Sequence, residues 1–233
     1  MCGRFSLTVP IRKLQEHYEA RRVSEEAAKW KPSYNIAPAQ LAPVVVRQTG
    51  DETATEIILA RWGFVPAWAE DAAAGGRMIN ARAESVAEKP AFRKAFNAGR
   101  CLVPFTSFFE WRKTAGSAHK TPFAVGFGDR RIASFAGVTE ENAKLGVRTF
   151  TIVTTEPNAV VKPIHERMPV ILDAAGAGKW LDPETDAVQA SSLLKPFPAV
   201  GMLAWEASPR VNSPAFNAPE AMLPARSRQE TLG

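Results

Sequence analysis

The chain has 233 residues, 45% of them hydrophobic, and carries a net charge of +5 with two cysteines and three histidines. That apolar supply builds a sizeable core and excludes wholesale disorder, while no run approaches the roughly 20 apolar residues of a membrane helix. Cys2 and Cys101 form neither a disulfide framework nor a CxxC pair, which argues against a structural metal, and the basic balance favours a polyanionic partner over ordinary solubility charge only weakly.

In chain order, residues 10–20 (PIRKLQEHYEA) set Ile11, Leu14 and Tyr18 at helical spacing behind Pro10, which predicts a helix. KPSYNIAPAQ, broken by Pro and Asn, predicts an ordered loop. APVVVRQ and TEIILARWGF are rich in β-branched residues and predict strands around a TGDET turn. VPAWAEDAAAGGRM reads as a loop broken at Gly75 and Gly76. EKPAFRKAFNAG predicts a helix, with Phe92 and Phe96 on one face and Gly99 near its end. Short strands are expected at RCLVPF, SFFEWR, TPFAVGF, RIASFAGV and RTFTIVTT, then a helix at about 174–181 and a polar tail, RSRQETLG. Many short strands with few, dispersed helices predict an α+β protein of one domain, 1–225, with a tail at 226–233. The first residues lack the pattern of a secretory signal, so a cytoplasmic, reducing location is expected.

Four polar residues sit in apolar or turn-rich company. Glu110, in SFFEW, is flanked by aromatics. Desolvation there would raise its pKa toward neutrality, unless strand alternation turns it to water. His165, between two prolines in KPIHERMP, is suited to proton transfer or to capping a turn. Asn80, in MINARAE, suits orienting a substrate or bonding a nearby loop. Cys101 reads as a small core residue. Cys2 would become terminal on removal of Met1. An α-amine titrates at about 7.7–8.0, so roughly a third is neutral at pH 7.4, against about 0.1% of a lysine. Amine and thiol on one carbon can trap an aldehyde as a five-membered thiazolidine.

With MCGRFS, YNIAP, RWGFVPAW, INARAES, RCLVPFTSFFEW, IHERMPVIL and VNSPAFNAPE in this order, the chain resembles the SOS-response-associated peptidase family, over nearly its whole length. The resemblance implies a twisted, bifurcated, mainly antiparallel sheet forming a pseudo-barrel. It implies autoproteolytic loss of Met1 and a covalent crosslink between Cys2 and abasic sites in single-stranded DNA, with weak lyase activity beside it. Cys2, Asn80, Glu110 and His165 fall at the family's active-site positions. Beside these motifs, Arg4, Arg82 and Arg167 are candidate phosphate clamps, Trp68 a stacking or wedging group, and Asn35 and Pro38 shape the groove. A basic cleft is expected to favour the Cys2 thiolate. Ser107 stands where relatives carry glycine, which puts the local turn in question. No metal, organic cofactor or membrane partner is implied, and a monomer is the default. Two rivals remain: MCG also resembles the start of class II glutamine amidotransferases, and a plain single-strand binder would need no Cys2 at all.

Overall fold

The computed structural model of the protein describes residues 2–48, 51–113, 116 and 119–223. The tip of the TGDET turn, the end of the expected domain and the polar tail at 226–233 lie outside the described residues. In chain order the strands are β1 (Arg4–Leu7), β2 (Arg22–Val23), β3 (Ser33–Ile36), β4 (Leu41–Gln48), β5 (Asp51–Trp62), β6 (Asn80–Arg82) and β7 (Arg100–Phe105), followed by β8 (Ser107–Lys113), β9 (Lys120–Phe127), β10 (Ala133–Asn142), β11 (Val147–Thr155), β12 (Met168–Pro169), β13 (Ile171–Leu172) and β14 (Met202–Glu206). The helices are α1 (Ile11–His17), α2 (Glu25–Ala28), α3 (Pro90–Ala98), α4 (Ala174–Leu181) and α5 (Ala187–Ser192).

One sheet runs β14-β9-β8-β1-β3, and its pairings are all antiparallel. The other runs β12-β11-β10-β7-β4-β5-β2. In it β5 also pairs back onto β11 in parallel, through Arg61 with Thr149 and Trp62 with Phe150. Strands β11, β10, β7, β4 and β5 therefore close into a ring, which removes two open edges. This is the mainly antiparallel, barrel-like α+β arrangement expected. Every residue of β7 is buried, because β10 and β4 flank it while α3 and α4 pack over it.

Aromatic side chains join the two sheets. Phe5 and Phe108 come from the first, Trp62, Phe105 and Phe135 from the second. Phe105 stacks on Phe135 at 3.7 Å, with Phe5 and Phe108 edge-on to the same ring at 6.0 and 5.9 Å. Such pairs add about 1 kcal/mol each beyond their buried area. They fix β1 and β8 against the ring, and so fix the site between them.

Three expectations change. YNIAP is not all loop: Ser33–Ile36 pairs with β1, and the prolines at 32 and 38 stand outside the strand. Within VPAWAEDAAAGGRM, Ala72–Arg77 forms a 3-10 turn capped by Asp71. The neck of this loop closes where two glycine backbones cross. A Cβ on Gly63, whose φ is +128°, would lie 2.8 Å from the Gly75 carbonyl oxygen. Ser107 lies in an extended strand opposite Ser6 and needs no left-handed angle. Its hydroxyl bonds that of Ser6 at 2.8 Å, and the partner strand supplies a glycine, Gly126, where its Cβ needs room. Among the described residues, no helix is long and apolar enough to cross a membrane.

Candidate active site at the junction of the sheets

Strands β1 and β8 bring one half of the site. Their register sets Arg4 against Phe109 and Phe5 against Phe108, so Cys2 continues β1 beside Glu110. Glu110 is only 1% exposed, and alternation turns it with Phe108 into the main core. It does not face water because the outer face of β8 is covered as well. There Phe109 packs with Ala124, Ala207, Val211 and Ala221, and the covering segment comes from VNSPAFNAPE. That motif is therefore a strap across the back of the sheet. Asn35 holds it by donating to the carbonyls of Val211, Ser213 and Phe216 at 3.2, 3.0 and 2.8 Å.

Strand β11 brings the other half. β6 pairs with it in parallel, Asn80 opposite Ile152, and β12 pairs across its end, Met168 opposite Thr155. His165 lies just before β12 in a turn pinned by Asn158, which accepts the Val160 and Val161 amides at 3.1 Å each. The two halves meet. The Asn80 side-chain amide donates to the Cys2 carbonyl at 2.7 Å. His165 Nε2 lies 3.9 Å from Glu110 Oε2.

Burial pushes Glu110 up from 4.5 to about 7. Burial likewise lowers His165 below its ordinary value. The pair is thus poised to share a proton rather than to stand as a fixed ion pair. His165 Nδ1 accepts the Arg167 backbone N–H at 3.0 Å, which sets the neutral ring's hydrogen on Nε2, facing Glu110. The histidine therefore caps its turn with one nitrogen and serves the site with the other. The Cys2 thiol corrects the expectation of a thiolate. Burial, then the Glu110 charge, pushes its pKa up, and Sγ donates to the Arg4 carbonyl at 3.6 Å.

The candidate DNA contacts separate by environment. Arg4 donates to Asn35 Oδ1 at 3.0 Å and to the carbonyls of Val211 and Asn212 at 2.6 and 3.1 Å. These partners are neutral, so they fix the guanidinium without cancelling its charge. Arg167 instead grips Glu84 with two bonds of 2.6 and 2.9 Å. Arg82 is exposed, and behind the hydrogen bond from Arg167 its charge helps to lower Glu84. Trp68 is 68% exposed. Pro38 is half-buried and Asn35 fully buried, so Asn35 presents no surface of its own and serves instead to tie down the strap. Cys101 is a core residue. Among the described residues, no group of three or more His, Cys, Asp or Glu is placed to hold a metal ion.

The sequence did not single out Lys120. It starts β9 opposite Lys113, and behind the dominant effect of burial its charge bears on both Glu110 and His165. Pairing SFFEWRK with KTPF as a hairpin would have set it at the Glu110 end.

A family model described as SOS response associated peptidase matches residues 1–214. The protein named abasic site processing protein YoqW, from Bacillus subtilis (strain 168), is 38% identical over 224 residues, covering 94% of this chain and 98% of its own. The mouse protein named abasic site processing protein HMCES is 27% identical, covering 97% of this chain and 76% of its own. A crystal structure of a Bacteroides thetaiotaomicron protein superposes with a TM-score of 0.83 at 28% identity, over 96% of this chain and 100% of the other. Matched along nearly its whole length, the chain belongs to the SOS response associated peptidase family.

Proposed function

We propose that the protein captures abasic sites in single-stranded DNA as a covalent thiazolidine on Cys2, after removal of Met1. The observation that carries this reading is the convergence of Cys2, Asn80, Glu110 and His165 from two different sheets, in a family whose relatives bear the name abasic site processing protein. An abasic sugar in its ring-opened form offers an aldehyde. The Cys2 amine attacks that carbon to form a carbinolamine. Glu110, with a pKa of about 7, gives a proton to the departing hydroxyl. The thiol then adds to the resulting iminium carbon, and its proton returns to the Glu110 carboxylate. One C–N and one C–S bond form, and one water leaves. A thiol held protonated suits this order, because sulfur attacks only after the amine has made an electrophile.

Asn80 holds the Cys2 carbonyl with its amide nitrogen. Its Oδ1 is buried without a partner among the described residues, and it accepts from the amine or a sugar hydroxyl. His165 assists sugar opening and, in reverse, release. Arg82 and the uncompensated charge of Arg4 attract phosphate; Arg167, paired with Glu84, contributes less field and more positioning. Trp68 stacks on a flanking base. The iminium also acidifies the neighbouring carbon, so β-elimination and strand cleavage compete until the thiol closes the ring.

The test is a denaturing gel of the Met1-free protein after incubation with a single-stranded oligonucleotide carrying one abasic site. A boiled, shifted band that needs Cys2 is the expected result. No band with wild-type protein would remove the reading. Equal, salt-labile binding of intact and abasic strands would favour a plain binder, and glutamine-analogue labelling of Cys2 would favour an amidohydrolase.

A further inference from the structure

The loop that carries Trp68 is held more firmly than an exposed tryptophan requires. Two residues at the end of β10, Glu140 and Asn142, grip it from one face of that strand. Glu140, with a side chain 10% exposed, accepts the Ala67 N–H at 3.2 Å on one oxygen and the Lys94 ammonium at 3.1 Å on the other. Asn142 is fully buried and donates to the carbonyls of Pro66 and Ala69 at 2.9 and 2.8 Å. The chain on both sides of Trp68 is thus tied down while the indole stands in solvent. Beside it lies a cavity of about 340 Å³ lined by Ala67, Trp68, Pro90, Ala91, Lys94 and Glu140. One wall is an aromatic face, the opposite wall is the apolar first turn of α3, and a lysine stands at the rim. A planar ring with an anionic neighbour fits those walls.

We propose that Glu140 and Asn142 are positioning residues that hold Trp68 against the first turn of α3, forming a slot for one nucleobase of the strand flanking the lesion, with Lys94 on the adjacent phosphate. This rests on the reading above, and it names the second anchor of the DNA. The slot reads no base edge, so it adds affinity for strand length and not sequence preference.

The experiment compares two single-stranded probes, a short one made of an abasic nucleotide with terminal phosphates and no neighbouring base, and a long one with eight nucleotides on each side of the abasic site. Wild-type protein needs less of the long probe for half-maximal capture rate. Glu140→Ala erases about tenfold of that gain, the worth of one base–aromatic stack, and does not separate from wild type on the short probe. Glu140→Gln, whose amide oxygen still accepts the Ala67 N–H, restores most of the gain. Glu140→Ala adds nothing in a Trp68→Ala background, because both act on one contact. Lys94 is a surface side chain whose removal leaves the fold intact. Lys94→Ala weakens long-probe capture and lowers the salt slope by about one. The inference is overturned if Glu140→Ala keeps the full gain, loses both probes equally or adds to Trp68→Ala, or if Lys94→Ala leaves the slope unchanged. An absent wild-type band would instead overturn the capture reading itself.

Discussion

Glu110→Gln should stabilise the fold above neutral pH while slowing capture. Burial moves the Glu110 carboxyl from 4.5 to about 7, so the folded chain holds that proton more tightly than the unfolded chain does. For a raised carboxyl, stability is greatest below the unfolded pKa and declines as pH rises through the folded one. At about 1.4 kcal/mol per unit, the wild type carries a cost of up to about 3 kcal/mol once Glu110 is ionised. Glutamine has nearly the same shape and does not titrate. Groups not coupled to Glu110 titrate alike in both proteins, so the variant-minus-wild-type difference in unfolding free energy isolates Glu110 together with the His165 that shares its proton. Urea unfolding across the range from about pH 4 to about pH 8 should show that difference rising by roughly 3 kcal/mol, with most of the rise between the two pKa values. In melting temperature this is several degrees for a chain of this size. A difference that does not vary with pH would mean that Glu110 titrates as an ordinary carboxyl, and its role in proton delivery would lose its basis.

Cys2→Ser keeps the amine and loses the ring-closing atom, so the boil-stable band should vanish while strand cleavage rises on the same gel. Asn80→Ala breaks the bond to the Cys2 carbonyl; stranding one buried acceptor costs about 1–3 kcal/mol, so the melting temperature should fall by a few degrees and capture should slow by about tenfold, and unchanged capture would leave Asn80 without a role. Asn35→Ala strands three strap carbonyls and should cost about 2–4 kcal/mol, with new protease cuts within 208–223; intact resistance to protease would show that the strap is held elsewhere. Glu84→Gln leaves the Arg167 charge uncompensated and should strengthen initial DNA binding at low salt, which titration of a non-abasic strand would measure; weaker binding would contradict the assigned neutralising role.

Much of the fold was legible because its elements follow period and capping chemistry. Residues 174–181 form the predicted helix, and the helix at Pro90–Ala98 buries Phe92 and Phe96 as its spacing requires. The strand at Ser33–Ile36 was hidden because its pattern mixes a buried Asn with flanking prolines, and only pairing with β1 completes it. Glu110 left two readings open since alternation alone does not say which face is covered; the strap, about 100 residues downstream in the chain, decides it. Burial of Cys2 was equally invisible, because a basic composition says nothing of local desolvation. Asn35 and Arg4 were legible as motif positions but not as the ties of the strap, a contact between distant parts of the chain.

The proposed capture stands on a terminal Cys2 whose amine and thiol both bond one sugar carbon. Intact-mass measurement of the purified chain, alone and after reaction with an abasic oligonucleotide, tests it most directly. The expected masses are a chain lighter by Met1, and an adduct equal to the sum of protein and DNA less one water, formed by wild type and not by Cys2→Ser. An adduct on a chain that still carries Met1, or none on the Met1-free chain, would contradict it.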